Sequence, residues 1–97
     1  WERWQADPAF VPPGGESLLE VGVRVREALD ELVDEARTSK VAIVTHVSPL
    51  KAAVAWALGV GDEVAWRLFV NPASISRIDV SRPRPALVSF NELGHLA

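Results

Sequence analysis

A regular spacing of apolar residues predicts a helix in the first third of the chain. The apolar positions recur at intervals of three or four, and charged residues occupy the other sides. Ser17 and Glu20 have the spacing of a capping box, in which both side chains bond to backbone N–H groups at the helix start. The sequence therefore predicts an amphipathic helix of about five turns. Its apolar face consists of Leu18, Val21, Val25, Leu29, Leu32 and Ala36.

An unbroken apolar and β-branched run over residues 41–45 predicts a strand. Such a run is typical of a strand that is buried on both faces, as in a parallel sheet. His46 follows directly, and the next residues predict a helix with Ser48 as its cap and Pro49 as its first residue. Gly59 is expected to end that helix.

The remaining residues predict a short helix and two further strands. Asp62 is the expected cap of a helix that runs to Phe69. The segments 73–80 and 86–90 have strand composition and are separated by a proline-rich turn. A strand buried on both faces needs more neighbours than these elements supply. We therefore expect sheet partners from a preceding segment, from a second polypeptide, or from exchange between copies of the chain.

Composition narrows the class of protein without selecting a function. The 97 residues are 48% hydrophobic and 24% charged, which is typical of one globular domain. The net charge of -3 has the wrong sign for a nucleic-acid-binding protein. The lack of cysteine excludes disulfides and thiolate metal sites. No apolar run approaches the roughly 20 residues of a membrane helix. We expect neither nucleic acid nor membrane as a partner, and a cytoplasmic location.

His46 is the strongest candidate for chemistry. It follows the predicted strand and precedes a helix, which is the position where open α/β sheets bind ligands. Backbone N–H groups and the positive end of the helix dipole favour an anion such as phosphate there. A buried or capping histidine is the structural alternative. Glu16, just before the first helix, is explained at least as well by a favourable contact with the helix dipole.

Three segments match one known pattern in order and spacing. They are P-G-G-E-S at 13–17 with Arg24 seven residues after the serine, V-T-H-V-S-P-L-K at 44–51, and N-E-L-G-H-L at 91–96. Together they resemble the C-terminal half of the histidine phosphatase superfamily, which includes phosphoglycerate mutases and many small-molecule phosphatases. The resemblance covers nearly the whole chain.

The resemblance implies a role for His46 and leaves the nucleophile unassigned. In this superfamily a histidine in an R-H-G motif carries the phosphoryl group, and the 97 residues contain no R-H-G. The match places His46 on the second active-site histidine, which binds phosphoryl oxygens and stabilises their charge. Val47, Ser48, Glu16 and Arg24 would bind phosphate or support the site.

Other positions in the matching segments depart from the family pattern or indicate no functional role. Val47 replaces a common glycine, which puts a close backbone approach in doubt, and Lys51 replaces a frequent arginine and loses its planar fork. The proton-donating carboxylate of the family also lies upstream of the matching segments. We expect a structural role for His95.

The resemblance also implies a fold and a reaction for the complete domain. Residues 1–97 would form the C-terminal part of one α/β domain, a three-layer α/β/α sandwich with a mostly parallel central sheet. The complete domain would hydrolyse a small phosphomonoester through a phosphohistidine, with no metal or dissociable cofactor. Nothing in the residues excludes mutase transfer. The chain alone is expected to be inactive.

Two rival functions remain open from the sequence. The first is a non-catalytic module that binds an anion, or a partner, at His46. The second is serine acyl transfer, since Ser48 and Lys51 fit S-x-x-K, although the companion S-D-N and K-T-G elements are missing. Arg82 and Arg84 could attract an anion, but a solvated turn is the simpler interpretation. Trp56 and Trp66 are interpreted as packing residues.

Overall fold

The first helix, α1, spans Leu18–Thr38 in a computed structural model that describes residues 17–96. Ser17 is its N-cap, and the Ser17 hydroxyl accepts a hydrogen bond from the Glu20 N–H at 3.0 Å. The predicted helix and its serine cap are confirmed. The buried residues Leu18, Val21 and Val25 lie on the predicted apolar face.

The second helix, α2, spans Val47–Leu58 and begins earlier than predicted. Its N-cap is His46, so the prediction that Ser48 caps the helix and Pro49 opens it is wrong. Pro49 lies instead in the third helical position. The first-turn N–H groups have no partner within a helix, so a residue without an N–H loses nothing there. Gly59 ends the helix in the left-handed conformation, with φ of 67°, as predicted.

Two short 3-10 helices and a hairpin complete the described chain. The first 3-10 helix spans Asp62–Arg67, and the second spans Gly94–Leu96. The strands β1 (Ile75–Asp79) and β2 (Ala86–Glu92) pair in an antiparallel sheet, which confirms the two strands expected there.

Asp62 does not cap the first 3-10 helix, because Gly61 takes that position. The Asp62 side chain is instead buried, and it accepts a hydrogen bond from Arg26 of α1 at 2.7 Å. The predicted cap is therefore wrong. The carboxylate connects α1 to the 3-10 helix instead of closing a helix end.

The predicted strand at residues 41–45 is not formed among the described residues. Val41 and Ile43 are exposed, and Val44 is 99% exposed. The physical reason is the lack of a partner, since the sheet of the described residues consists of β1 and β2 and neither pairs with this segment. The described part of the chain is thus a mixture of helices with one small antiparallel sheet. This is compatible with an α/β fold, but the described residues form neither the parallel sheet nor the three layers that were expected.

The strand-like alternation of this segment is nevertheless visible in its contacts. Val41, Ile43 and Thr45 line a cavity of about 190 Å³, together with apolar residues of α1, α2 and β1. Alternate residues of an extended chain point to opposite sides. The odd-numbered side chains therefore face the gap between the helices and the hairpin.

The core lies between α1 and α2. Val21 and Val25 pack with Ala52 of α2, and Leu29 and Ala53 extend this contact. The Trp56 indole N–H donates to the Asp30 carboxylate of α1 at 3.1 Å, which adds a polar contact at the edge of the helix pair. No helix in the described range 17–96 is long and apolar enough to cross a membrane.

Candidate functional site

The start of α2 presents a set of backbone donors next to His46. The His46 carbonyl accepts the first helical hydrogen bond, from the Leu50 N–H at 3.1 Å. The N–H groups of His46, Val47 and Ser48 precede that bond and have no partner within the helix, whereas Pro49 has no N–H. These three donors lie at the positive end of the helix dipole. An anion at this place would meet both the donors and the dipole.

The His46 side chain is exposed and makes no capping hydrogen bond to its own helix. Its backbone is extended, with φ of -133° and ψ of -174°. The histidine is therefore not buried, and it holds the N-cap position of α2 through its backbone alone. The imidazole is accessible to a ligand that binds at the start of α2.

A groove of about 480 Å³ adjoins His46. Residues 43–47 and Leu50 form one of its sides, and residues 70–75 form the other. The second side is the loop that leads into β1. This volume falls within the range of about 300–1,000 Å³ that is typical of small-molecule sites.

The other predicted site residues are placed differently. Val47 lines the groove with His46, and Ser48 is the next residue of the helix. Arg24 is exposed on α1, and among the described residues it is not one of those that line the groove. Glu16 lies outside the described residues. The structure thus places His46 and Val47 at the groove, whereas Ser48 is not among its lining residues in the described chain. The phosphate-binding or supporting roles of all these residues, and of Arg24 and Glu16, stay predictions.

Val47 adopts an ordinary helical conformation as the first residue of α2. Its φ is not among the positive values found at non-glycine residues of the described chain. The φ angle at this position is therefore one that valine adopts without strain. The side chain of Val47 is 41% exposed and lies at the edge of the groove.

Serine acyl transfer finds little support in the described residues. Activation of a serine by a lysine requires a hydrogen bond between the two side chains. In the described part of α2, the side chains of Ser48 and Lys51 form no hydrogen bond with each other. Residues 17–96 also contain no group of three or more His, Asp or Glu side chains that could hold a metal ion.

The loop at residues 71–74 is held by contacts that sequence reasoning did not identify. The Asn71 N–H donates to Asn91 Oδ1 at 2.9 Å, and Asn91 Nδ2 donates to Asn71 Oδ1 at 2.9 Å. His95 Nε2 donates to the Ala73 carbonyl at 2.7 Å. This contact gives His95 a role within the fold. The one signal in the sequence was the N-E-L-G-H-L segment, in which both side chains occur.

Two carboxylates near the ends of the hairpin have altered acidity. The Ser89 hydroxyl and the Arg77 guanidinium hydrogen-bond to Glu92 and lower the pKa of its carboxyl group. Hydrogen bonds from Ser81 lower the pKa of Asp79. Neither side chain lines the His46 groove within the described chain. These shifts therefore bear on stability at low pH and not on the chemistry at His46.

Comparison with known proteins identifies relatives of the chain. The model of the histidine phosphatase superfamily (branch 1) matches residues 1–93. The chain is 32% identical over 97 residues to phosphoserine phosphatase 1 of Hydrogenobacter thermophilus, which covers 99% of the chain and 46% of that protein. It is 39% identical over 74 residues to a bifunctional protein of Mycobacterium tuberculosis, covering 76% of the chain and 20% of that protein.

A third relative carries a different name. The chain is 36% identical over 67 residues to the Yersinia enterocolitica protein named "Probable phosphoglycerate mutase GpmB", covering 69% of the chain and 31% of that protein. The chain thus spans about half the length of the phosphoserine phosphatase and smaller shares of the other two relatives.

Proposed function

The chain belongs to the histidine phosphatase superfamily (branch 1), and on this basis we propose that the natural protein that carries it hydrolyses a small phosphomonoester. In this proposal His46 and the start of α2 bind the phosphoryl group, and the reaction proceeds through a phosphohistidine on another residue. Relatives named as a phosphoserine phosphatase and a phosphoglycerate mutase support chemistry on small phosphorylated molecules.

The observation that carries the proposal is the exposed His46 at a groove, beside N–H groups that have no partner within their own helix. A phosphoryl group carries two negative charges near neutral pH, and charge shifts among its oxygens during transfer. Donors that are already oriented toward those oxygens stabilise the transition state without reorganisation. The imidazole adds a donor, or a cation when protonated, from the same position.

We place the nucleophile outside these 97 residues. The sequence contains two histidines and no R-H-G motif. His46 is assigned to oxyanion binding, and His95 Nε2 is already bonded to the Ala73 carbonyl. The acid that protonates the leaving alkoxide is placed outside the chain as well. In this proposal the chain alone has no phosphatase activity.

In this proposal, polypeptide outside these 97 residues also completes the sheet. Residues 41–45 have strand composition but no partner among the described residues, and their odd-numbered side chains face an apolar cavity. A strand added beside this segment would satisfy its backbone groups and cover its exposed apolar side chains. The three-layer sandwich would then arise from the addition, whether the strand comes from the same polypeptide, a second chain or another copy.

Hydrolysis and transfer share this site and differ in the acceptor of the phosphoryl group. In hydrolysis, water attacks the phosphohistidine and inorganic phosphate leaves. In mutase chemistry, a hydroxyl of the substrate takes the phosphoryl group instead. We propose hydrolysis, and the relative named as a phosphoserine phosphatase, which covers 99% of the chain, supports this choice.

A second candidate function is a non-catalytic module that binds phosphate. The favouring observation is that the 97 residues hold an anion-binding arrangement around His46 but no R-H-G nucleophile. The two functions predict different fates for a phosphoryl donor, because the module binds it and never becomes phosphorylated.

The test is a rapid-quench experiment on the natural protein that carries these residues. It is mixed with phosphoserine or phosphoglycerate and quenched under conditions that preserve phosphohistidine, and its peptides are analysed by mass spectrometry. We expect a phosphohistidine at a residue outside this sequence. The binding module predicts no phosphohistidine anywhere in the protein.

Steady-state kinetics of two variants test the role of His46. Loss of one oxyanion donor typically lowers kcat by a factor of about 100 to 1,000, and we expect a loss of that order for His46→Ala. Arg84→Ala is the control, because it removes a cation from an exposed turn. Equal turnover in His46→Ala and the unmodified protein would overturn the proposal. So would normal turnover by the 97-residue chain alone that His46→Ala leaves intact.

A further inference from the structure

Asn91, near the end of β2, bonds both to β1 and to the loop that lines the His46 groove. Its side chain exchanges two hydrogen bonds with Asn71, both at 2.9 Å. Its backbone N–H donates to the Ser76 hydroxyl of β1 at 3.1 Å. Asn71 lines the groove on the side opposite the start of α2. One residue at the end of β2 therefore ties the groove loop to the sheet.

An irregular sheet register places Asn91 in this position. Ile75 pairs with Glu92 and Arg77 pairs with Ser89, so two steps along β1 oppose three steps along β2. The additional residue makes a β-bulge, which turns side chains away from their regular direction. Asn91 lies within the bulge and has a φ of 57°. Asparagine tolerates this left-handed conformation better than most residues.

A second contact holds the same loop. Ala73 has a φ of 59°, which an alanine keeps only where its surroundings enforce it. His95 Nε2 donates to the Ala73 carbonyl at 2.7 Å, so the tail after β2 fixes the strained residue. Such strain is concentrated at sites of ligand binding. The strained residue here lines the groove.

We propose that Asn91 is a positioning residue of the substrate site, with His95 as its support. It holds residues 71–74 as the fixed wall of the groove, where the part of the phosphomonoester beyond the phosphoryl group would lie. This inference rests on the proposed function. The phosphoryl site belongs to the start of α2, which no hydrogen bond from Asn91 reaches in the described chain. The wall and the phosphoryl site are therefore held by separate contacts.

This separation predicts a particular kinetic effect. A looser wall weakens the binding of substrate and of transition state alike, which raises KM and leaves kcat unchanged. Loss of two side-chain hydrogen bonds on the wall is expected to raise KM about tenfold. A residue with only a structural role would change the unfolding temperature and leave KM as it was.

Variants of Asn91 in the natural protein test the proposal, with kcat and KM measured for phosphoserine, phosphoglycerate and p-nitrophenyl phosphate. Asn91→Gly keeps the left-handed backbone and removes both side-chain bonds, so KM should rise about tenfold with kcat retained. Asn91→Asp keeps the acceptor for the Asn71 N–H and should raise KM less. Val88→Thr, at an exposed position of the same strand, is the control and should match the unmodified protein.

The results distinguish a failure of the Asn91 positioning role from a failure of the proposed phosphatase function. Unchanged KM in Asn91→Gly, or a loss confined to kcat, overturns the positioning role while the phosphatase function stands. An unmodified protein that turns over none of the three phosphomonoesters overturns the proposed function and this inference with it. If Asn91→Gly does not fold, Asn91→Asp decides by the same criterion, and a KM equal to that of the unmodified protein overturns the role.

Discussion

Replacing Gly22 by alanine should destabilise the protein, although alanine is the better helix former. Gly22 lies in α1, and a Cβ atom built on it would be 2.4 Å from Asp62 Oδ1 and 2.8 Å from Asp62 Cγ. The Asp62 side chain is only 7% exposed and is bonded to Arg26. The new methyl group would therefore push a buried carboxylate away from its partner.

The opposing contributions can be compared from this geometry. Gly→Ala in a helix interior favours folding by about 1 kcal/mol. Overpacking typically costs about 1–3 kcal/mol, and a hydrogen bond to a charged group contributes about 1.5–3 kcal/mol. Only part of that bond is lost, because the Arg26 side chain is 38% exposed and can follow the carboxylate. The net result for Gly22→Ala is a loss of about 1–3 kcal/mol.

Thermal and urea unfolding measure this change in stability. The same substitution in an Asp62→Ala variant should change stability in the opposite direction. A loss of 1 kcal/mol lowers Tm by about 4–8 °C in a domain of 60–100 residues and by about 2–4 °C in one of 150–250 residues. In an Asp62→Ala background the obstacle is gone, so Gly22→Ala should stabilise by about 1 kcal/mol. Gly94→Ala, where a Cβ meets no atom within 4 Å, is the control for glycine replacement. A gain in stability from Gly22→Ala in the unmodified background would refute the reasoning.

Three further predictions concern local interactions. Ser17→Ala removes the acceptor of the Glu20 N–H and should lower the free energy of unfolding in urea by about 1 kcal/mol. Ser17→Asp should retain most of the stability, and equal losses in both variants would contradict the role of Ser17 as a cap. Gly59→Ala forces a Cβ into a left-handed position and should cost about 1 kcal/mol, and an unchanged midpoint would exclude strain there. Hydrogen bonds from Ser89 and Arg77 lower the folded-state pKa of Glu92 below its ordinary value. Its stabilisation is therefore present above the unfolded pKa and is lost as the pH falls through the folded pKa. Glu92→Gln should therefore reduce the fall in Tm between pH 7 and pH 3, and an unaltered fall would contradict the assignment.

The helices and the hairpin were predictable because their signals are local. The three- and four-residue spacing of α1, the Ser17 cap and Gly59 each depend on residues within one or two turns. The start of α2 was placed two residues late because Ser48 and Pro49 satisfy the usual preferences, while His46 takes the cap position without a side-chain bond.

The strand at residues 41–45 shows where local sequence is insufficient. Its composition indicates burial, but a strand exists only when another strand pairs with it. Within the described chain β1 and β2 pair with each other, and Val44 is left almost fully exposed. The composition of the segment thus indicates a buried, paired strand, and the described residues provide neither the burial nor the pairing.

The candidate site was partly predictable for the same reasons. His46 was identified from its place before a helix, and the structure keeps it exposed at the start of α2. The Asn71–Asn91 contact was not predicted, since it joins residues 20 positions apart through a bulge in β2. Neither the bulge nor the left-handed φ of Asn91 has a distinctive sequence signal.

A phosphate titration followed by NMR tests the role of His46 and the start of α2 most directly. The natural protein is labelled with nitrogen-15, and inorganic phosphate is added while the amides and the histidine rings are observed. Saturable shifts should concentrate at the Val47 and Ser48 amides and at the His46 ring, and His46→Ala should weaken phosphate binding about tenfold or more. Shifts that never saturate, or that occur in the turn with Arg82 and Arg84 and not at these groups, would contradict the account.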